Sequence, residues 1–220
     1  MVSPVELPTM RYLSGAAFDL RRYQLSSNES GGGAGQSAEY ADPVWVMEYS
    51  FAGFPDMKSR SVWQGFLGSL EGRKTQVLCF DPFRRVPLDH YDDAGNPASG
   101  SPWGSPAVSD YSRSASTFDL TGWTANQKLY AGDYFSFQDA SDRWHLHRLT
   151  QDATANGSGA VTVTVEPRPA RGLTHGSASL RVRDAACTMV LDWSESAMRY
   201  GTRNGEAFSL SGIQVTRPFI

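Results

Sequence analysis

Alternation of apolar and polar residues along most of the chain predicts short β-strands. In VWVMEYSF (44–51) large apolar side chains fall on every second position, and in VTVTVE (161–166) valine alternates with threonine. Residues two apart on a strand share a face, so each segment has one buried side and one solvent-facing side. Similar patterns bounded by turn-forming residues predict further strands. In the second half these lie near 118–123, 134–138, 143–150, 160–166 and 178–184.

One segment has the spacing of a helix instead. In PDMKSRSVWQGFLGSLEGRK, Asp56 can cap the N-terminus and Gly72 can take the left-handed position after the last turn. The pattern predicts a helix over 56–71 that packs on a sheet through one apolar face. The residues predicted for that face are Val62, Trp63, Phe66, Leu67 and Leu70.

The order of these elements predicts two domains, one inserted into the other. Residues 84–117 contain four prolines and many Ser, Gly and Asp residues, which is typical of a connector. Five short strands with a closing segment can form a small barrel without open edges. The strand-like tail then returns to the first domain. The predicted division is a first part at 1–86, a linker at 87–104, an inserted β-barrel at 105–183 and returning strands at 187–220.

Composition favours this mainly β interpretation and argues against a nucleic-acid-binding surface. The chain holds 21 Gly, 12 Pro and 12% aromatic residues, and its net charge is −3. Residues 105–183 carry eight Lys or Arg against seven Asp or Glu, whereas a groove that follows phosphates needs a positive excess. The rings in this region are therefore expected to form a core. They are Trp123, Tyr130, Tyr134, Phe135, Phe137 and Trp144.

Cys79 and Cys187 lie in apolar runs and are expected to be buried, reduced thiols. The N-terminal MVSPVELPTMRYLSG lacks the basic and apolar regions of a signal peptide, and no apolar run is long enough to span a bilayer. We therefore expect a soluble protein that is made in a cytoplasm and does not insert into a membrane.

The candidates for chemistry are few. His145 and His147 lie two apart on a predicted strand and share a face, but Asp142 and Asp152 offer no second His/Cys cluster to complete a zinc site. We expect both histidines on the solvent face, opposite a buried Trp144 and Leu146. Asp92 and Asp93 are interpreted as solvated turn residues. No nucleophile elbow or phosphate loop is present, so no catalytic, cofactor-binding or metal-binding residue is expected and the chain is predicted not to be an enzyme.

Two stretches resemble recurring segments of tail proteins of long-tailed bacteriophages. They are SVWQGFLGSLEGRKTQVLCFDPFRRVP, from residue 61, and AGDYFSFQDASDRWHLHRLTQDATANGSGAVTVTVEPRPARGLTHGSASLRVRDAACTMVL, from residue 131. The resemblance covers about residues 45–195, and the chain looks like the distal tail protein of these phages. That family implies a belt β-sandwich with a flanking helix and, in some members, an inserted barrel of the oligonucleotide/oligosaccharide type.

The resemblance also implies a function. Six copies would form a ring between the tail tube and the tail-tip hub, in the virion, with a channel through which DNA passes without specific binding. No cofactor is implied, and a surface that is not basic suits a conduit for phosphates. The alternatives are another minor tail or hub protein for host attachment, or a carbohydrate-binding module that exposes Trp103 or Trp123 as a platform.

Overall fold

The computed structural model describes residues 4–27, 36–52, 54, 56–72, 74–140, 142–173, 178–192 and 208–215. These residues are mainly β, with one α-helix, α1 (Met57–Ser69), as the sequence predicts. The strands are β1 (Val5–Glu6), β2 (Leu13–Ser27), β3 (Gln36–Phe51), β4 (Val77–Phe80), β5 (Gly104–Ser112), β6 (Thr117–Trp123), β7 (Lys128–Leu129), β8 (Tyr134–Gln138), β9 (Trp144–Leu149), β10 (Ala153–Thr154), β11 (Val161–Glu166), β12 (Ala186–Asp192) and β13 (Phe208–Gln214).

A six-stranded sheet joins the two ends of the chain. Its strand order is β1-β4-β12-β13-β3-β2, with β1 parallel to β4 and the other pairs antiparallel. Cys187 of β12 lies opposite Cys79 of β4, and β13 pairs with β3 from Phe208 to Ile213. The predicted pairing of the C-terminal strands with the first part of the chain is therefore confirmed for the described residues. The division into two domains stays a prediction.

This sheet is strongly curled. Tyr49 belongs to β3, yet its hydroxyl bonds both backbone groups of Phe80 on β4, although β12 and β13 lie between the two strands. A side chain can span that separation only if the sheet curves around it. The concave side holds a core that includes Trp45, Cys79 and Met189, all fully buried.

Helix α1 closes one side of this core. Asp56 is its N-cap and accepts a hydrogen bond of 2.7 Å from the backbone N–H of Ser59. Of the predicted apolar face, the side chains that are buried are Trp63, Leu67 and Leu70. Phe66 is only half-buried, and the prediction for Val62 is wrong, since it is 52% exposed. The buried stripe follows i, i+4 and i+7 from residue 63, and a neighbour one residue away points about 100° from it.

The second sheet has five strands in the order β5-β6-β11-β9-β8. The prediction of a strand at 178–184 is wrong, because this segment makes only isolated bridges. Its backbone nevertheless joins the two edges of the sheet. Val108 of β5 donates to Ala178, and Ser136 of β8 and Arg181 donate to each other's carbonyls at 3.0 and 2.7 Å. The segment therefore bridges the two edge strands of the sheet, β5 and β8, without forming a regular strand.

Strand β5 corrects a second expectation. It occupies Gly104–Ser112, inside the stretch predicted to be a connector. It is an edge strand with two register irregularities, and it contains Pro106. Proline cannot donate to a ladder but is tolerated at a sheet edge. A proline-containing edge strand therefore has the composition of a loop.

Candidate functional site

Strand β9 lies between the cores of the two sheets. Leu146 packs in the core of the six-stranded sheet, whereas Leu149 packs in the core of the five-stranded sheet. The ring of His147 lies against Phe118 and Phe137, on the same side as Leu149. Because alternate residues of a strand face opposite sides, this one strand supplies side chains to both interiors.

Polar and aromatic contacts fix β9 to the six-stranded sheet. The indole Nε1 of Trp45 donates to the carbonyl of Leu146 at 2.9 Å, and the guanidinium of Arg148 lies 5.6 Å from the Trp45 ring centre. Tyr134 of β8 meets the same indole edge-on, with 5.7 Å between ring centroids. The backbone N–H of Ala186 donates to Ser136 Oγ at 3.0 Å. The two sheets are therefore joined by directional bonds as well as by apolar packing.

A two-stranded extension projects beyond this junction. We call it the hairpin arm and define it as residues 23–27 of β2 and 36–41 of β3. The last residue of β3 that pairs with β13 is Val46, and β2 is the outermost strand of the sheet. Just before Val46, the N–H of Trp45 is bound by the side-chain oxygen of Gln214 at 3.1 Å. Among the described residues, the two strands of the arm therefore pair only with each other.

Ion pairs hold the base of the arm against the five-stranded sheet. Asp42 accepts two hydrogen bonds from Arg113, at 2.8 and 2.9 Å, and one from Arg168 Nε at 3.0 Å. Partial burial favours a higher pKa for Asp42, but the two guanidinium groups outweigh it and lower the pKa below the ordinary value. Nearby, Glu166 bridges Arg22 and Arg148. The base of the arm is therefore a network of partly exposed ion pairs.

A cleft of about 740 Å³ lies beside this base. One wall is β3 from Glu39 to Val44, and the opposite wall contains Arg113 and the segment PRPAR, residues 167–171. His145, Leu146 and His147 also line it. The volume is within the range of about 300–1,000 Å³ that is usual for binding sites. This cleft brings charged groups of β3 and of the five-stranded sheet together, and it is the candidate functional site.

The two histidines of this cleft differ from the prediction. His147 is 2% exposed and does not lie on a solvent face, and Trp144 is only half-buried. His147 Nδ1 is 2.8 Å from the carbonyl of Pro167, whereas its Nε2 has no partner among the described residues. Burial, together with the neighbouring His145, lowers the pKa of His147 to about 3. The imidazole is therefore neutral, and Nδ1 is the nitrogen that carries the proton and donates it to Pro167.

His145 is held separately. Its Nε2 lies 2.9 Å from Asp139, a buried carboxylate that also accepts from Arg143. Asp142 accepts from Gln138, and Asp152 from the backbone N–H of Ala131.

The acidic turn residues also lie apart from this cleft. Asp92 organises its own turn by accepting from Ala94 and Asn96, and Asp93 is exposed. Within the described part of the chain, no three His, Cys, Asp or Glu residues are placed to share a metal ion.

The aromatic residues of the second half are mostly core, as expected. Trp123, Tyr134, Phe135 and Phe137 are buried, while Tyr130 is half-buried. Trp103 and Trp123 are 3% and 6% exposed, so neither can serve as the sugar platform considered from the sequence. Their rings are covered because both belong to the interior of the five-stranded sheet.

Both cysteines are buried and unpaired, which confirms the expectation from the sequence. Burial raises the pKa of the Cys79 and Cys187 thiols above the ordinary value. Since the thiolate is the reactive form, both side chains are inert core residues.

Sequence reasoning did not find the cleft or the hairpin arm. A signal was present: the segment from Tyr23 to Pro43 has three acidic residues and no Lys or Arg, whereas PRPAR has two arginines and no acid.

No family model matches the chain, and no curated protein matches it either. Within the described residues, α1 is too short and too polar to cross a bilayer.

Proposed function

We propose that the chain is a structural subunit of a bacteriophage tail. Six copies would form a ring that joins the tail tube to the tail-tip hub and leaves a channel for DNA. The proposal begins with the resemblance of residues 45–195 to tail proteins. In its terms, the six-stranded sheet with α1 is the belt β-sandwich, and the five-stranded sheet with its closing segment is an inserted barrel of the oligonucleotide/oligosaccharide type.

One observation supports this proposal more than any other. Strands β4 and β12, which flank the five-stranded sheet in sequence, are direct neighbours in the six-stranded sheet, with Phe80 opposite Ala186. The chain therefore leaves one sheet, forms the other and returns to the same place. This is the connectivity that the resemblance implies for a belt domain with an inserted barrel.

The junction between the sheets has the rigidity that a channel wall needs. Trp45, Tyr134 and Leu146 are buried together, and the Trp45–Leu146 hydrogen bond crosses between the sheets. Buried hydrogen bonds and close packing oppose relative motion of the two sheets. A ring subunit must transmit load between tube and hub, and such a junction suits that role.

Charge and chemistry are compatible with the same role. The net charge of −3 gives the chain no general attraction for phosphates, so DNA could pass without being retained. The proposed partners are five further copies of the chain, the tube protein on one side and the hub on the other. The role requires no catalytic group and no cofactor.

Electron cryomicroscopy of the phage particles that carry this chain tests the proposal. We expect density for the chain as a sixfold ring between tube and tip. A Leu67→Ala chain, weakened in its core, should be incorporated less than a Val62→Ala chain, which loses only an exposed methyl pair. Particles in which the chain is missing, or is present without a sixfold ring at that level, would rule the proposal out.

A further inference from the structure

Cys79 and Cys187 face each other across two neighbouring strands. In the antiparallel pairing of β4 with β12 they lie directly opposite, one position from the Phe80–Ala186 pair. Both side chains belong to the core on the concave side of the six-stranded sheet, and both are fully buried. The two thiols therefore share one face of the sheet and one register position.

This arrangement meets the distances that a disulfide requires. Directly opposite residues of an antiparallel pair have Cα atoms about 4.5 or 5.5 Å apart, and a disulfide accepts about 4.4–6.8 Å. Their Cβ atoms are about 4.5–5.5 Å apart on a regular sheet, whereas a disulfide needs about 3.5–4.5 Å. The curl of this sheet reduces that difference, because side chains on a concave face converge. A small approach of the two strands is then sufficient for the sulfur atoms to bond.

The core can accept the bond without being overpacked. Oxidation removes two hydrogen atoms and replaces a van der Waals contact between the sulfur atoms by a bond of about 2.05 Å. It adds no atom to a region where both residues are already fully buried. Inserting volume into such a core costs stability, whereas this reaction slightly reduces the volume of the pair.

We propose that Cys79 and Cys187 form a reversible disulfide across β4 and β12 when the chain is in oxidising surroundings. The inference does not depend on the proposed function. The bond links the strand from which the chain leaves the six-stranded sheet to the strand by which it returns. It closes the whole intervening segment into a covalent loop, and a disulfide stabilises more as the loop that it closes becomes longer.

The reaction requires local opening of the sheet. Burial raises the pKa of both thiols, so the closed sheet holds little of the reactive thiolate and excludes the oxidant. Strand β4 has four residues and pairs with β1 over two positions in the described part of the chain, so it is a short strand near one side of the sheet. Such an element can separate by local opening without global unfolding.

The oxidant is a low-molecular-weight disulfide such as oxidised glutathione, and the exchange takes place in two steps. In the first step, one cysteine loses its proton and its thiolate attacks a sulfur of the glutathione disulfide, which gives a mixed disulfide and releases one glutathione thiolate. In the second step, the other cysteine loses its proton and attacks the protein sulfur of the mixed disulfide, which releases the second glutathione thiolate. The two released thiolates take up the two protons. The cysteine pair thus loses two electrons and two protons, and the glutathione disulfide becomes two glutathione thiols.

Oxidation of the purified chain tests the pairing. The chain is incubated with oxidised glutathione in urea well below its unfolding midpoint, and the remaining thiols are then alkylated under full denaturation. We expect the monomer to carry no alkyl group and no glutathione, and its digest to contain two peptides joined through Cys79 and Cys187. A reducing agent should restore both thiols. The Cys187→Ala chain should stop at the mixed disulfide of Cys79.

A shift of one residue supplies the matched control. In the double variant Cys187→Ala, Thr188→Cys the second thiol lies on the opposite face of β12, because successive side chains of a strand alternate. An unfolded chain would join position 79 to position 187 or to position 188 equally well. A difference between the two chains therefore measures the effect of the sheet, and we expect the control to lose most of the linked product.

Urea unfolding of the oxidised chain is an independent measurement. Closing a long loop should raise the unfolding midpoint by about 1–2 M relative to the reduced chain. The Cys187→Ala chain should gain no stability from the same treatment, because it cannot close the loop. This comparison decides the matter where the Thr188→Cys control does not fold.

Three results would overturn the proposal. In the first, the parent chain stops at mixed disulfides with glutathione. In the second, the parent and the register-shifted control give equal amounts of linked product while circular dichroism shows both chains to be folded. In the third, the disulfide forms but lowers the urea midpoint or leaves it unchanged. None of these results bears on the ring function, which the particle structure decides.

Discussion

The indole Nε1 of Trp45 donates a hydrogen bond of 2.9 Å to the backbone carbonyl of Leu146. Trp45 belongs to the six-stranded sheet and Leu146 to the five-stranded sheet, and both side chains are buried. An unpaired carbonyl in such a position costs about 1–3 kcal/mol, because it loses water without gaining a partner. This hydrogen bond therefore links the two sheets through residues that are far apart in sequence.

We expect Trp45→Phe to lower the free energy of unfolding by at least that amount, about 1–3 kcal/mol from the lost bond plus a contribution from the smaller ring. Chemical denaturation measures it. Trp123→Phe is the matched control, since Trp123 is also buried but its Nε1 has no partner among the described residues. Trp123→Phe also reduces the volume of the ring, but it removes no hydrogen bond. Equal destabilisation by the two substitutions would contradict the importance of the Trp45 bond.

Tyr49→Phe should lower the local stability at the end of β4. The Tyr49 hydroxyl accepts from the Phe80 N–H at 3.2 Å and donates to the Phe80 carbonyl. Burial raises the pKa of Tyr49 far above the ordinary value, so the hydroxyl keeps the proton that it donates. Native-state hydrogen exchange should show reduced protection of the Phe80 amide in the variant. A Tyr130→Phe control, in the other half of the chain, should leave that amide unchanged, and so would Tyr49→Phe if the hydroxyl had no role.

Two neighbouring faces of α1 should respond differently to truncation. Leu67→Ala removes a buried side chain and should cost about 2–5 kcal/mol. Val62→Ala removes a side chain that is 52% exposed and should change stability by less than about 0.5 kcal/mol. Thermal unfolding of the two variants compares them directly. Similar losses would mean that the apolar stripe of the helix is placed on the wrong face.

His147 should make the fold sensitive to acid. Its pKa is lowered from 6.5 to about 3 by burial, so below pH 6.5 the unfolded chain takes up a proton that the folded chain does not. Acid therefore favours unfolding, and the stability that depends on the neutral ring is complete above pH 6.5 and falls towards pH 3. Between pH 7.5 and pH 4.5 the expected loss is about 2–3 kcal/mol.

A His147→Gln variant separates this titration from that of the carboxylates. Glutamine can still donate to the Pro167 carbonyl but does not titrate, so the variant should lose less stability than the parent chain over the same pH range. The difference between the two slopes is the measurement. Parallel slopes would show that His147 is accessible to protons in the folded state.

The sequence predicts helices and strands well where one face of the element is buried and the other is exposed to solvent. Strand β11, Val161–Glu166, lies within the predicted range 160–166 with its valines buried and its threonines more exposed, and the Asp56 cap of α1 was predicted from residue type alone. Strand β9 was found, but not its surroundings. The alternation in HLHRL is typical of a half-exposed strand, and nothing local shows that a second core covers the histidine face. A neutral imidazole with one hydrogen bond can be buried, and sequence does not reveal its protonation state.

The candidate site depends on relationships that no local pattern contains. Within the described part of the chain, β13 pairs with β3 only as far as Val46 while β2 and β3 continue beside the cleft, and this follows from the register between segments far apart in sequence. Arg113 and Arg168 meet Asp42 for the same reason. Charge composition shows an acidic segment and a basic one, but only the fold brings them together.

The position of Phe80 opposite Ala186 has a consequence for how such a protein can change during evolution. The entropic cost of closing a loop rises only with the logarithm of its length. The segment between these two residues can therefore lengthen, shorten or be exchanged at little cost to the sheet from which it departs. The contacts across the junction limit this freedom: a replacement must still present a backbone carbonyl to the indole of Trp45 and apolar side chains in place of Tyr134 and Leu146. Descendants of this chain can diversify the rest of the segment while they keep the contacts of this junction.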